Sequence, residues 1–197
     1  MNAPAFSVCV YCGSRPGVRP EFAALAQEVG RWIAEHHGQL VYGGGHNGLM
    51  GVVADAALAA GGRVVGVIPK ALVEKEFAHR GCTELHVVEN MHERKRMMAE
   101  RSNAFLALPG GIGTLEEFFE VWTWRQLGYH DKPVGLLNAY GYYDALLAFL
   151  RHGVAQQFMG DWQMGLIEVD SAPRSLLQSL VQAAGTLPVQ GVQADKI

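Results

Sequence analysis

Residues 108–120, Leu-Pro-Gly-Gly-Ile-Gly-Thr-Leu-Glu-Glu-Phe-Phe-Glu, hold the densest chemistry of this chain. An apolar strand pattern, Asn103 to Leu108, runs into a glycine turn and then into a helix expected to open on Thr114. Such a turn leaves backbone N–H groups at a helix N-terminus without intrahelical partners. The positive end of the helix dipole lies behind them, which makes a phosphate site. Glu116 and Glu117 follow at once. A phosphate cradle has no need of carboxylates, so acids beside it point to chemistry on the phosphorylated molecule. Glu117 also has a structural reading. Thr114-Leu-Glu-Glu117 has capping-box spacing, in which Glu117 bonds back to the Thr114 backbone, and the dipole alone favours acids in a first turn.

A second glycine loop, Gly43-Gly-Gly-His-Asn-Gly48, fits G-x-G-x-x-G between a strand and a helix. By itself this suggests a dinucleotide. A dinucleotide site also wants an acid at the end of the next strand to hold a ribose. Here that strand, Arg63–Ile68, ends in Pro69-Lys70, so the acid is missing. What remains is a turn that lets backbone approach a ligand, at Gly44 and Gly45, or packs a helix close to the sheet. A third loop, Tyr11-Cys-Gly-Ser-Arg15, offers the Ser14 hydroxyl to a sugar or phosphate, or as a turn cap. No Gly-Lys-Ser/Thr follows either glycine loop, which disfavours a P-loop ATPase or kinase. One bound mononucleotide suits such an edge better than two. Cys9 and Cys12 are spaced Cys-x-x-Cys but sit in an apolar strand pattern, and read as buried, reduced thiols. No second Cys or His pair has zinc spacing.

The elements that position these loops alternate. Strand patterns cover 6–12, 40–42, 63–68, 84–89, 104–108, 133–137 and 165–169. Helix patterns cover 20–37, 49–60, 90–101, the segment from Thr114, 142–152 and 175–184, with Asn90 and Glu93 spaced as a capping box. Several strands are continuous apolar runs, as a parallel sheet covered on both faces requires. The expectation is a doubly wound, Rossmann-like α/β fold with helices on both faces of a parallel sheet, its ligand at the carboxyl ends of the strands. One domain over 1–185 and a frayed tail over 186–197 are expected. Residues 70–83 are the least regular internal stretch and read as a candidate lid, with Lys70, Glu76 and His79 as further candidates to reach the site.

The chain has 197 residues, 49% hydrophobic and 18% charged, with a net charge of −3. That composition is globular and argues against a nucleic-acid partner, which usually meets a basic excess. No leader pattern opens the sequence and no apolar run reaches about 18 residues, so no membrane association and a cytoplasmic location are expected. Arg94 and the Met97-Met98 pair read structurally as a solvent-facing charge and as core.

Taken together, several motifs resemble the LOG (“Lonely guy”) family of cytokinin riboside 5′-monophosphate phosphoribohydrolases, long mislabelled as lysine decarboxylases. Pro109-Gly-Gly-Ile-Gly-Thr-Leu-Glu-Glu117 fits that family's P-G-G-x-G-T-x-x-E signature. The likeness extends over Tyr11–Ser14, Tyr42–Gly51, Gly66–Pro69, Met91–Lys95, Thr123–Gly128, Lys132-Pro133 and Asn138. The resemblance implies a Rossmann-like homodimer that hydrolyses the N-glycosidic bond of N6-substituted adenosine monophosphates, and often of AMP, with neither a metal nor another cofactor. It places the catalytic pair on Arg94 and Glu117 and the phosphate loop on Gly110, Gly111, Gly113 and Thr114. Met97 and Met98 are candidates for the base, and the aromatic run Phe118, Phe119, Trp122 and Trp124 is either a dimer contact or core. A non-catalytic nucleotide sensor or carrier on the same fold is the alternative.

Overall fold

Seven parallel strands form one sheet in the order β4-β3-β2-β1-β5-β6-β7 in the computed structural model, which describes residues 3–75 and 77–185. The strands are β1 (Ser7–Tyr11), β2 (Gln39–Tyr42), β3 (Arg63–Pro69), β4 (Glu84–Val88), β5 (Ala104–Ala107), β6 (Val134–Leu137) and β7 (Ile167–Asp170). From β1 the chain winds outward to β4, then returns to place β5 on the other side of β1. Val8 pairs with both Leu40 and Ala104, so β1 is central. The reversal between β1 and β5 is the topological switch point, where the strand-end loops diverge and leave a crevice. The expected tail, 186–197, and Glu76 lie outside the described residues.

Helices cover both faces because the inner strands are apolar on both sides. Helices α1 (Pro20–Glu35), α2 (Gly48–Ala59) and α7 (Pro173–Gly185) close one core, built around Val29, Ile33, Leu40, Val53 and Leu106. Helices α3 (Met91–Glu100), α4 (Ile112–Gln126) and α5 (Asp144–Ala155) close the other, around Val41, Met98, Phe105, Phe118 and Leu136. Pro20 opens α1, where its missing N–H costs nothing and its fixed φ suits a helix. Asn90 caps α3, its side chain accepting from Glu93 N–H at 2.9 Å, as the spacing predicts. A short helix, α6 (Asp161–Met164), went unpredicted, being a single turn with no periodicity to read.

The two strand cysteines face opposite sides of the sheet. Cys9 packs in the α3–α4 core and Cys12 in the α1–α2 core, as strand alternation nearly demands for residues three apart. Both are free, and burial pushes both thiols up, Cys9 to about 12. They are therefore inert packing residues rather than a redox pair.

Candidate active site

The glycine loop after β5 is built as a cradle. Leu108 N–H donates to Tyr11 C=O at 2.9 Å and Gly13 N–H to Pro109 C=O at 3.2 Å, which ties this loop to the β1 loop across the switch point. Helix α4 begins earlier than its sequence suggests. Gly111 is the N-cap, Ile112 the first helical residue and Thr114 the third. The intrahelical ladder starts with Leu115 N–H to Gly111 C=O at 3.1 Å, so the N–H groups of Ile112, Gly113 and Thr114 precede it. The capping box at Thr114–Glu117 is therefore not formed. Thr114 is inside the helix and buried, packed over Gly110, where a Cβ would meet Thr114 Oγ1 at 2.1 Å. A Cβ at Gly111 or Gly113 would meet nothing within 4 Å, so the loop opens outward there.

A cleft of about 510 Å³ lies over this loop, lined by Gly13, Ser14, Arg15, Gly110, Gly111 and Ile112. Phe22 and Tyr142 form its side wall. Ser14 is exposed and faces the cleft as expected. The β6–α5 connection buttresses the floor. Asn138 Oδ1 accepts from Tyr143 N–H at 2.7 Å, Tyr143 Oη donates to Leu108 C=O at 2.7 Å, and Tyr142 Oη donates to Gly110 C=O at 2.7 Å. Arg15 and the two tyrosines carry no sequence signal of their own. Their place at the site comes from the sheet order alone.

Arg94 lies over the end of β2 and Glu117 beside β1, on the neighbouring helices α3 and α4. Arg94, on α3, is only 5% exposed, and its Nη2 donates to Gly43 C=O at 3.1 Å. A Cβ on Gly43 would sit 1.9 Å from that Nη2, so only glycine leaves room for the guanidinium. Glu117, on α4, is half-buried. Its charge acts on the thiols of Cys9 and Cys12 and on the Tyr11 hydroxyl, while Arg94 acts with opposite sign on Cys9. Both side chains thus lie near β1, beside the cradle. The α3–α4 spacing is set by Lys95, whose Nζ reaches Glu116 at 2.6 Å and Glu120 at 2.8 Å. Burial holds the Glu120 carboxyl above its usual range despite that ammonium. Glu117 lies five residues beyond Ile112, about 7.5 Å along the helix axis, the scale of a ribose between its phosphate and its base.

Other expected residues lie elsewhere. Met98 is 1% exposed and belongs to the core, so it offers no surface to a base in this structure; Met97 is half-buried at its margin. Gly44 and Gly45 are buried and occupied by the 70–83 segment: Gly44 C=O accepts from His79 N–H at 2.8 Å, and Gly45 forms an antiparallel bridge with Ala78. That segment is strapped to the β2–α2 loop rather than free, with His46 N–H donating to Phe77 C=O at 3.0 Å. Lys70 pairs with Glu89 at the surface, and His79 with Tyr42 and Asp55. Phe118, Trp122 and Trp124 are buried in the α3–α5 core, and Phe119 packs against it. Arg125 and Lys132, from the family-like motifs, and Trp122 brace the fold: Arg125 Nη1 donates to Leu166 C=O at 2.6 Å, Lys132 Nζ to Ala99 C=O at 2.8 Å, and Trp122 Nε1 to Gln163 C=O at 3.0 Å.

A doubly wound sheet with a glycine cradle at its switch point defines a nucleotide-site class. Within that class the relatives are specific. The profile of a family described as “Possible lysine decarboxylase” matches residues 50–180. A cytokinin riboside 5′-monophosphate phosphoribohydrolase from Rhodococcoides fascians is 53% identical over 154 residues, 78% of each chain. One from Arabidopsis thaliana is 44% identical over 173 residues, 88% of this chain and 81% of that one. Among solved structures, the molybdenum cofactor carrier protein of Chlamydomonas reinhardtii superposes with a TM-score of 0.70 at 21% identity, covering 94% of this chain and 100% of that one, a likeness of fold. The chain belongs to the LOG family, the one matched under the lysine decarboxylase description. No helix among the described residues is long and apolar enough to cross a membrane.

Proposed function

We propose that this protein hydrolyses the N-glycosidic bond of adenosine 5′-monophosphates, N6-substituted ones and AMP itself, to the free base and ribose 5-phosphate. The observation that carries the reading is the cradle at the start of α4 with Glu117 one further turn along the same helix. The phosphate docks on the N–H groups of residues 111–114, where the helix dipole favours an anion, with Ser14 beside it. This remote binding energy fixes the ribose against Glu117. Breaking the bond between C1′ and the base builds positive charge on the sugar. The Glu117 carboxylate stabilises that charge and takes a proton from the attacking water, whose oxygen bonds to C1′; the electron pair of the broken bond leaves with the base, which gains a proton from solvent as Glu117 returns its own to water. The Arg94 guanidinium, a planar fork of N–H donors with no acceptor, is suited to orient Glu117 or hold the sugar phosphate. Met97, at the margin of the core, is the remaining methionine candidate beside the base. These steps draw on side chains and water alone.

The relatives' names support this substrate class over a carrier role, since the carrier proteins resemble this chain at fold level only. A homodimer, which the family resemblance implies, and a cytoplasmic location complete this reading. The test is to incubate the protein with AMP, GMP, CMP and isopentenyladenosine monophosphate and to quantify free base and ribose 5-phosphate. Equal amounts of the two products from the adenosine nucleotides are expected. Tight AMP binding with no base released from any of the four would favour the carrier.

A further inference from the structure

Away from the cleft, three side chains from three elements converge on one point. His46 comes from the β2–α2 loop, Asp55 from α2 and His79 from the strapped 70–83 segment. We propose that His46, Asp55 and His79 bind a divalent transition-metal ion, with zinc the best match to the donor set. His46 Nε2 lies 2.9 Å from Asp55 Oδ2, and His79 Nε2 lies 3.3 Å from Asp55 Oδ1. Two ligands of a tetrahedral zinc stand about 3.3 Å apart, given bonds of roughly 2.0–2.1 Å. The donor atoms all fall within 4.8 Å of one another, so small rotations close them around an ion. The two imidazoles stack with centroids 4.2 Å apart and planes 13° from parallel, and both present Nε2 to the same carboxylate. Two imidazoles and a carboxylate, with an open fourth position, suit zinc better than calcium or magnesium, which prefer oxygen donors.

The surroundings of His79 favour a ligand role. Its side chain is buried, and its Nδ1 lies 3.0 Å from the hydroxyl of the buried Tyr42. That contact fixes the ring and turns Nε2 toward Asp55, the outer-shell arrangement that orients metal-bound histidines. The protons balance. With the ion on Nε2, the His79 ring proton sits on Nδ1 and donates to Tyr42 Oη, whose own proton turns to Cys82 Sγ, 3.4 Å away. No buried donor is stranded. His46 and Asp55 are half open to solvent, which gives the ion a path and leaves the fourth position to water. A bound ion would cross-link the 70–83 segment to α2 and to the loop whose Gly43 carbonyl receives Arg94, a structural ion beside the active site rather than a reagent in it.

The test uses the full chain stripped with a chelator, titrated with Zn²⁺ by calorimetry and with Co²⁺ by visible absorption. One ion per chain is expected, together with a Zn²⁺-dependent rise in melting temperature. His46→Ala and Asp55→Asn, both at exposed positions, should each weaken binding by about tenfold or more and abolish that rise. Cys82→Ser should bind like the parent. If Asp55→Asn fails to fold, His46→Ala decides alone. The proposal is overturned if the parent binds no Zn²⁺, if His46→Ala binds as tightly as the parent, or if only Cys82→Ser loses the ion.

Discussion

Replacing Gly43 by alanine should disable the enzyme without unfolding it. A Cβ there would lie 1.9 Å from Arg94 Nη2, and ordinary contact begins near 3.4 Å. The Gly43 backbone lies outside the left-handed region, so alanine adopts it without strain. The guanidinium is the far end of a flexible side chain and yields first, by about 1.5 Å, breaking the 3.1 Å bond to the Gly43 carbonyl. A charge-assisted bond of that kind contributes about 1.5–3 kcal/mol, part of which Arg94 recovers in water. The expected stability loss is therefore about 1–2 kcal/mol, a few degrees in melting temperature. The kinetic effect should be larger, because a misplacement of about 1 Å commonly costs about 100-fold, or roughly 2.7 kcal/mol of transition-state stabilisation. Adenine release from AMP, followed beside thermal unfolding, measures both. A Gly43→Ala protein that turns over AMP at the parental rate would refute the idea that Arg94 must lie over the end of β2.

Gly113→Ala should fold like the parent, since its Cβ meets no atom, but should raise KM several-fold by crowding the phosphate; initial rates against AMP concentration check this. Tyr143→Phe removes the hydroxyl that holds Leu108 C=O and should lower stability by about 1 kcal/mol, read by urea unfolding. His130 gives a pH signature. Its Nε2–H donates to Val121 C=O and its Nδ1 accepts from Lys132 N–H, so the folded protein needs the neutral ring. Burial, aided by the Lys132 charge, lowers its pKa from 6.5 to about 4. A depressed folded pKa stabilises above pH 6.5, and that contribution, at most about 3 kcal/mol, drains away as pH falls from 6.5 toward 4. Stability curves of the parent and His130→Gln should differ in slope across that window and run parallel above it.

The sheet was legible because each inner strand is an apolar run and each helix carries a stripe; periodicity reports burial directly. Helix α4 starts two residues before the Thr114 that its sequence suggests. Gly111-Ile-Gly113 has poor helix propensity, yet Thr114 packing over Gly110 draws the helix back to Ile112. That shift matters, because it moves Glu117 from a capping position to the second turn. Arg94 reads as a surface charge on α3, and its burial depends on a glycine 51 residues away. Met98 shows the converse, a side chain assigned to a ligand that the α3 stripe turns into the core. Tyr142, Tyr143 and the His46–Asp55–His79 cluster had no local signature at all. Contacts between loops of different strands are set by strand order, which a single sequence encodes only through the whole fold.

The most direct measurement is base release by Glu117→Gln at saturating AMP, with AMP affinity determined on the same sample. Glutamine keeps the shape of the side chain and removes its charge. The expected result is parental folding, AMP binding within a few-fold of the parent and a kcat lower by about 100-fold or more. Adenine released at the parental rate would contradict the assignment of Glu117 to the chemistry.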